Sequence, residues 1–124
     1  MRDQALWTWH VGAAMIIIVL LGLHMTIMHL DEVVRIFSPA PGEEIDWANV
    51  TARAQSVGFM VIYVLMLAAA LFHGLYGLRS ILFELNPGRT LKQGITVAFL
   101  LGGFGLFALG AWAAVATYQN AQVL

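Results

Sequence analysis

Four histidines, His10, His24, His29 and His73, stand in or beside long apolar runs. The sharpest case is Leu71-Phe72-His73-Gly74-Leu75-Tyr76-Gly77-Leu78-Arg79, an imidazole inside a stretch of lipid-like residues with a guanidinium six positions on. An ionisable side chain is expensive to hold in a hydrocarbon environment, so its presence there points to function. His24 and His73 lie deep in their runs. His10 and His29 lie near run ends, where water and headgroups reach. A neutral imidazole is a good axial ligand for haem iron, which makes His73 and His24 the candidate metal ligands. Gly74 and Gly77 lack a Cβ and would leave room beside His73 for a flat group, or serve ordinary helix packing.

The composition sets the solvent in which these residues work. Of 124 residues, 60% are hydrophobic and 10% are charged, against about 25% charged in an ordinary soluble domain. With a mean hydropathy of +0.82, the chain reads as an all-α integral membrane protein. The net charge of -1 argues against nucleic acid as a partner, and the absence of cysteine excludes disulfides, thiolate chemistry and Cys-held clusters. A crossing needs about 20 apolar residues, and three spans are predicted, over residues 6–30, 57–78 and 95–118 of a single transmembrane domain, 1–124. The first span is too long for a signal-peptide core and is expected to stay as a helix. Loop 31–56 contains Ser-Pro-Ala-Pro-Gly and five acids against Arg35 and Arg53, whereas loop 79–94 carries Arg79, Arg89 and Lys92. The positive-inside bias therefore places loop 79–94 and the N-terminus in the cytoplasm, and loop 31–56 outside, on the periplasmic side. In the third span Gly102, Gly103, Gly105 and Gly110 form a low surface suited to close approach of another helix.

Depth separates the histidines into two levels. At 1.5 Å per residue from the cytoplasmic ends, His73 lies about 9 Å in and His24 about 27 Å in, a separation of about 18 Å. They cannot share one metal, but the spacing suits two cofactors stacked across a bilayer. Each ligand then needs an opposing imidazole. His10 is the internal candidate opposite His73; otherwise a second copy or a second membrane chain supplies the partners. Haem also carries two carboxylates that must be paired near the headgroups, for which Arg79 at the inner end and Arg35 or Arg53 at the outer end are candidates. Ordinary snorkelling arginines would look the same.

The run His-Gly-Leu-Tyr-Gly-Leu-Arg followed by Ser-Ile-Leu-Phe-Glu resembles the second-helix signature of the membrane anchors of succinate dehydrogenase and fumarate reductase. Leu-Leu-Gly-Leu-His-Met-Thr-Ile-Met-His-Leu is similar to the first-helix histidine segment of their haem-containing members. The resemblance covers about residues 6–85. It implies a small cytochrome b type anchor in the cytoplasmic (inner) membrane of a bacterium or archaeon, packed against a second membrane anchor subunit and docked to an iron–sulfur and a flavoprotein subunit. It further implies one or two b-type haems shared with the partner anchor, His73 as proximal ligand, His24 or else His29 as distal ligand, and a quinone, menaquinone or ubiquinone. Glu84 matches the acid after the second helix, but Leu85 stands where the best-known ubiquinone anchors have tyrosine. Trp7, Trp9 and Trp47 could meet a quinone ring, although the aromatic belt of a membrane protein accounts for them equally.

No residue is required as a nucleophile or a general acid, so the activity would belong to the assembly. Arg79, Arg89 and Lys92 are expected to steer an extrinsic subunit with an acidic surface. An anchor of another quinone-linked dehydrogenase and a cofactor-free structural subunit remain open. A transporter fits less well, since the spans hold no mid-membrane acid.

Overall fold

A computed structural model describes residues 2–29 and 52–123, with side chains for all but 2 and 27–29. The described residues contain three long helices and no strands: α1 (Arg2–His29), α2 (Val57–Glu84) and α3 (Arg89–Val123). All three are long and apolar enough to cross a membrane. Helix is the only open-ended element whose backbone satisfies itself in hydrocarbon, and these sequences also dispose of their hydroxyls internally. Thr8, Thr26, Ser80, Thr96 and Thr117 each donate to the carbonyl four residues back, at 2.8 to 2.9 Å.

The helices run past the apolar windows. α2 continues to Glu84 and α3 begins at Arg89, so the connection between them is only residues 85–88 and most of the expected loop 79–94 is helical. The physical stop is local. Asn86 adopts φ 50, a left-handed conformation that asparagine tolerates better than most residues, with its N–H donating to Phe83 O at 3.0 Å, and Pro87 then denies the chain a further helical N–H. Ser56, extended at φ -87 and ψ 119, sets the start of α2.

α2 is central. It packs against α1 on one side and α3 on the other, while α1 and α3 do not pack against each other among the described residues. Two glycines fix the α2–α3 approach. A Cβ on Gly103 would come within 2.8 Å of Leu75 Cδ1, and one on Gly110 would run into Leu67. Gly102 and Gly105, by contrast, face open space. At the end of α3 remote from the 85–88 turn, Gln55 Nε2 donates to Ala121 O at 2.9 Å and Gln122 Nε2 donates to Gln55 O at 3.0 Å.

Very little of the surface is covered. Ala13, Ala69 and Ala121 are the buried hydrophobic residues among those described, and bulky side chains such as Trp9, Leu101, Phe104 and Trp112 are about 70% exposed. In water this would be untenable; in a bilayer the acyl chains or a partner helix complete the packing.

Candidate functional site

The histidine of α2, His73, meets the first histidine of α1. His10 and His73 stack with ring centroids 4.1 Å apart and planes 3° from parallel. Gly77 makes this contact possible: a Cβ there would stand 3.2 Å from His10 Cε1. Tyr76, one helical turn from His73 and so on the same face, closes the cluster with its ring 5.1 Å from that of His10. Gly74 faces open space, so of the two glycines beside His73 one accommodates an imidazole and the other stays uncovered.

The hydrogen bonding of this pair is asymmetric. His73 Nδ1 lies 3.1 Å from the backbone carbonyl oxygen of His10. A carbonyl oxygen only accepts, so in the neutral ring Nδ1 carries the proton and Nε2 carries the lone pair. Metal-ligating histidines are held in this manner, by an N–H donated to a carbonyl on the side away from the metal. His10 Nδ1, in contrast, is buried and has no partner among the described residues.

The same geometry tests the chain against a haem. The donor chemistry of His73 fits one axial position. His10 would not serve as the second ligand in this arrangement, because the two rings lie face on instead of turning their ring nitrogens toward a shared point. Were a haem held by His73, its second ligand would come from outside the described residues. His24 sits about 21 Å further along α1 than His10, half-buried, with its ring edge-on to Tyr63 at a centroid distance of 5.9 Å. Tyr63 was not singled out by sequence reasoning; an aromatic in an apolar helix carries no signal of its facing partner. The described residues contain no group of three or more metal-ligating side chains.

Arg79 is half-buried and fully engaged on one side. Its Nε donates to Thr96 Oγ1 at 3.0 Å, and its Cζ sits 4.2 Å from the Phe83 ring centroid, where the ring's negative face attracts the cation. Lys92 Nζ approaches the same ring at 5.7 Å. Arg53 lies just before α2, at the opposite end of that helix from Arg79. Arg35, Trp47 and the side chain of His29 lie outside what is described. Trp7 and Trp9 are 62% and 70% exposed near the start of α1, where an aromatic belt would put them.

Three helices long and apolar enough to span, with a mostly uncovered apolar surface among the described residues, define a multi-pass membrane protein. No protein-family model and no solved structure matches the chain. Among curated proteins it is 30% identical over 108 residues to the succinate dehydrogenase hydrophobic membrane anchor subunit of Archaeoglobus fulgidus, a match covering 83% of this chain and 85% of that protein. The chain belongs to the family of succinate dehydrogenase hydrophobic membrane anchor subunits.

Proposed function

We propose that this chain anchors the flavoprotein and iron–sulfur subunits of a succinate:quinone oxidoreductase to the membrane and, with a second anchor subunit, holds haem b. The observation that carries the reading is the His73 Nδ1 contact with the His10 carbonyl, which leaves Nε2 as the lone-pair nitrogen an axial ligand must present. When bound, haem b supplies one-electron transfer between iron–sulfur clusters and a membrane quinone, menaquinone or ubiquinone. The chain's own contribution is positional. α2 carries His73 as proximal ligand. α1 carries His24 as distal ligand, with His29 as the alternative at the end of the same helix. Arg79 at one end, and Arg53 or Arg35 at the other, are the cations available to anionic groups at the two boundaries. Gly74 leaves the helix surface beside His73 free, and Gly77 admits the His10 ring. Arg89 and Lys92, on the first turn of α3, are placed to steer an acidic extrinsic subunit.

The test is a dithionite-reduced minus oxidised spectrum of the purified complex with a pyridine haemochrome count, repeated for His73→Ala and His24→Ala. Two b-type haems, with each substitution removing a different one, are expected. A wild-type complex without haem would end the ligand assignment and leave a cofactor-free anchor.

A further inference from the structure

Along the face that α2 and α3 share with the start of α1 runs a groove of about 490 Å³, within the range of about 300–1,000 Å³ typical of small-molecule sites. Its walls are apolar, with Leu71, Phe72 and Phe107 among them, and its polar groups gather at one end, where Tyr76, Arg79 and Thr96 stand. The groove follows the helix axes. From Arg79 back to Ala68 on α2, and from Thr96 forward to Phe107 on α3, it spans eleven residue steps, or about 16 Å. Half of a hydrocarbon core of about 30 Å is about 15 Å, so the groove is as long as one leaflet is deep.

Its polar end falls at the headgroup boundary. α2, at 28 residues, is about 42 Å long and overhangs such a core by about 6 Å at each end, and Arg79 lies about 8 Å from the Glu84 end. α3, at 35 residues, is about 52 Å long and overhangs by about 11 Å, and Thr96 lies about 10 Å from the Arg89 end. Among the described residues Thr96 takes the Arg79 Nε and the Phe83 ring lies 4.2 Å from its Cζ, while its two terminal amino groups have no partner and neither Arg79 nor Lys92 makes an ion pair. Glu84, the nearest acid in sequence, is exposed and forms none with them.

We infer that this groove holds an anionic phospholipid of the leaflet on the 85–88 side, its phosphate on the Arg79 guanidinium and one acyl chain lying along Phe72, Phe99, Phe104 and Phe107 toward the mid-plane. The charge, the depth of that charge and the length of the apolar track agree on this occupant. A neutral quinone ring would leave the guanidinium without its anion. This inference competes with the haem reading for Arg79, since a haem carboxylate on that guanidinium would exclude the phosphate, and haem is therefore counted alongside the lipid.

The intact complex, delipidated in detergent, is titrated with dioleoylphosphatidylglycerol and, as a control, dioleoylphosphatidylcholine, with retention read by native mass spectrometry and haem counted on the same samples. The wild type should hold the anionic lipid in preference to the zwitterionic one. Arg79→Gln should weaken that retention about tenfold, the size of a lost charge-assisted hydrogen bond, and Arg79→Lys should restore most of it. Ala68→Phe, which fills the inner end of the track, should reduce retention with Arg79 intact, and it decides the matter should Arg79→Gln fail to accumulate. Equal retention of the two lipids, unchanged retention in Arg79→Gln or in Ala68→Phe, a co-purifying quinone in place of the lipid, no lipid because a partner subunit closes the groove, or loss of haem with lipid retained in Arg79→Gln would each overturn the inference.

Discussion

His10 and His73 share a level but not a role. The hydrogen bond that orients His73 ends on the backbone of residue 10, so it does not depend on which side chain residue 10 carries. The stack does. His10→Ala should therefore leave His73 in its Nδ1–H form and expose the covered face of its ring, whereas His73→Ala removes the ligand itself. Under the proposed function, haem content by pyridine haemochrome stays within about twofold of wild type in His10→Ala, the scale of a lost ring contact of about 0.5 kcal/mol, and the His73-dependent haem disappears in His73→Ala. Equal loss in both variants would mean that the rings swing apart to ligate one iron, contrary to the face-on arrangement. That His10 stands opposite His73 was legible from depth counting along two antiparallel spans. The parallel stack was not, because it depends on Gly77 lacking a Cβ at the one point where the His10 ring needs the space.

At the scale of the helix, the glycines of α3 divide into those that are needed and those that are not. Gly110→Leu drives a side chain into Leu67, and overpacking of this kind costs about 1–3 kcal/mol, toward the lower end here because the obstructing atoms are the ends of a flexible leucine. Gly105→Leu points into open space and should change stability by less than about 0.5 kcal/mol. Thermal unfolding of the full chain in mild detergent separates the two; a larger loss for Gly105→Leu than for Gly110→Leu would reverse the assignment of faces. The sequence showed a small-residue surface on the third span but not which glycines faced the second, since Gly102, Gly103 and Gly105 crowd into four positions and helix rotation decides among them. The helices extend beyond the predicted spans for a related reason. Hydropathy marks the hydrocarbon, and α2 continues through Arg79, Ser80 and Phe83 to a stop written in Asn86 and Pro87. The Gln55 and Gln122 bonds that tie the far end of α3 had no sequence signal, because neither glutamine lies in a motif.

The molecule as a whole has two unlike ends. Leu6 of α1 lines the same groove as Arg79 and Thr96, so the start of α1 lies at the end of the bundle that carries the 85–88 turn, with Arg79, Arg89 and Lys92. The other end carries Arg53, Gln55 and the last turn of α3. The topology we propose from the positive-inside rule has the turn in the cytoplasm, and it would put the proposed lipid in the cytoplasmic leaflet. The chain contains no cysteine, so single cysteines introduced for labelling report without background. In intact cells a membrane-impermeant maleimide should modify Gln119→Cys, near the end of α3, and spare Asn86→Cys until the membrane is opened. Labelling of Asn86→Cys alone would invert the topology, and with it the side on which Arg89 and Lys92 can meet an extrinsic subunit.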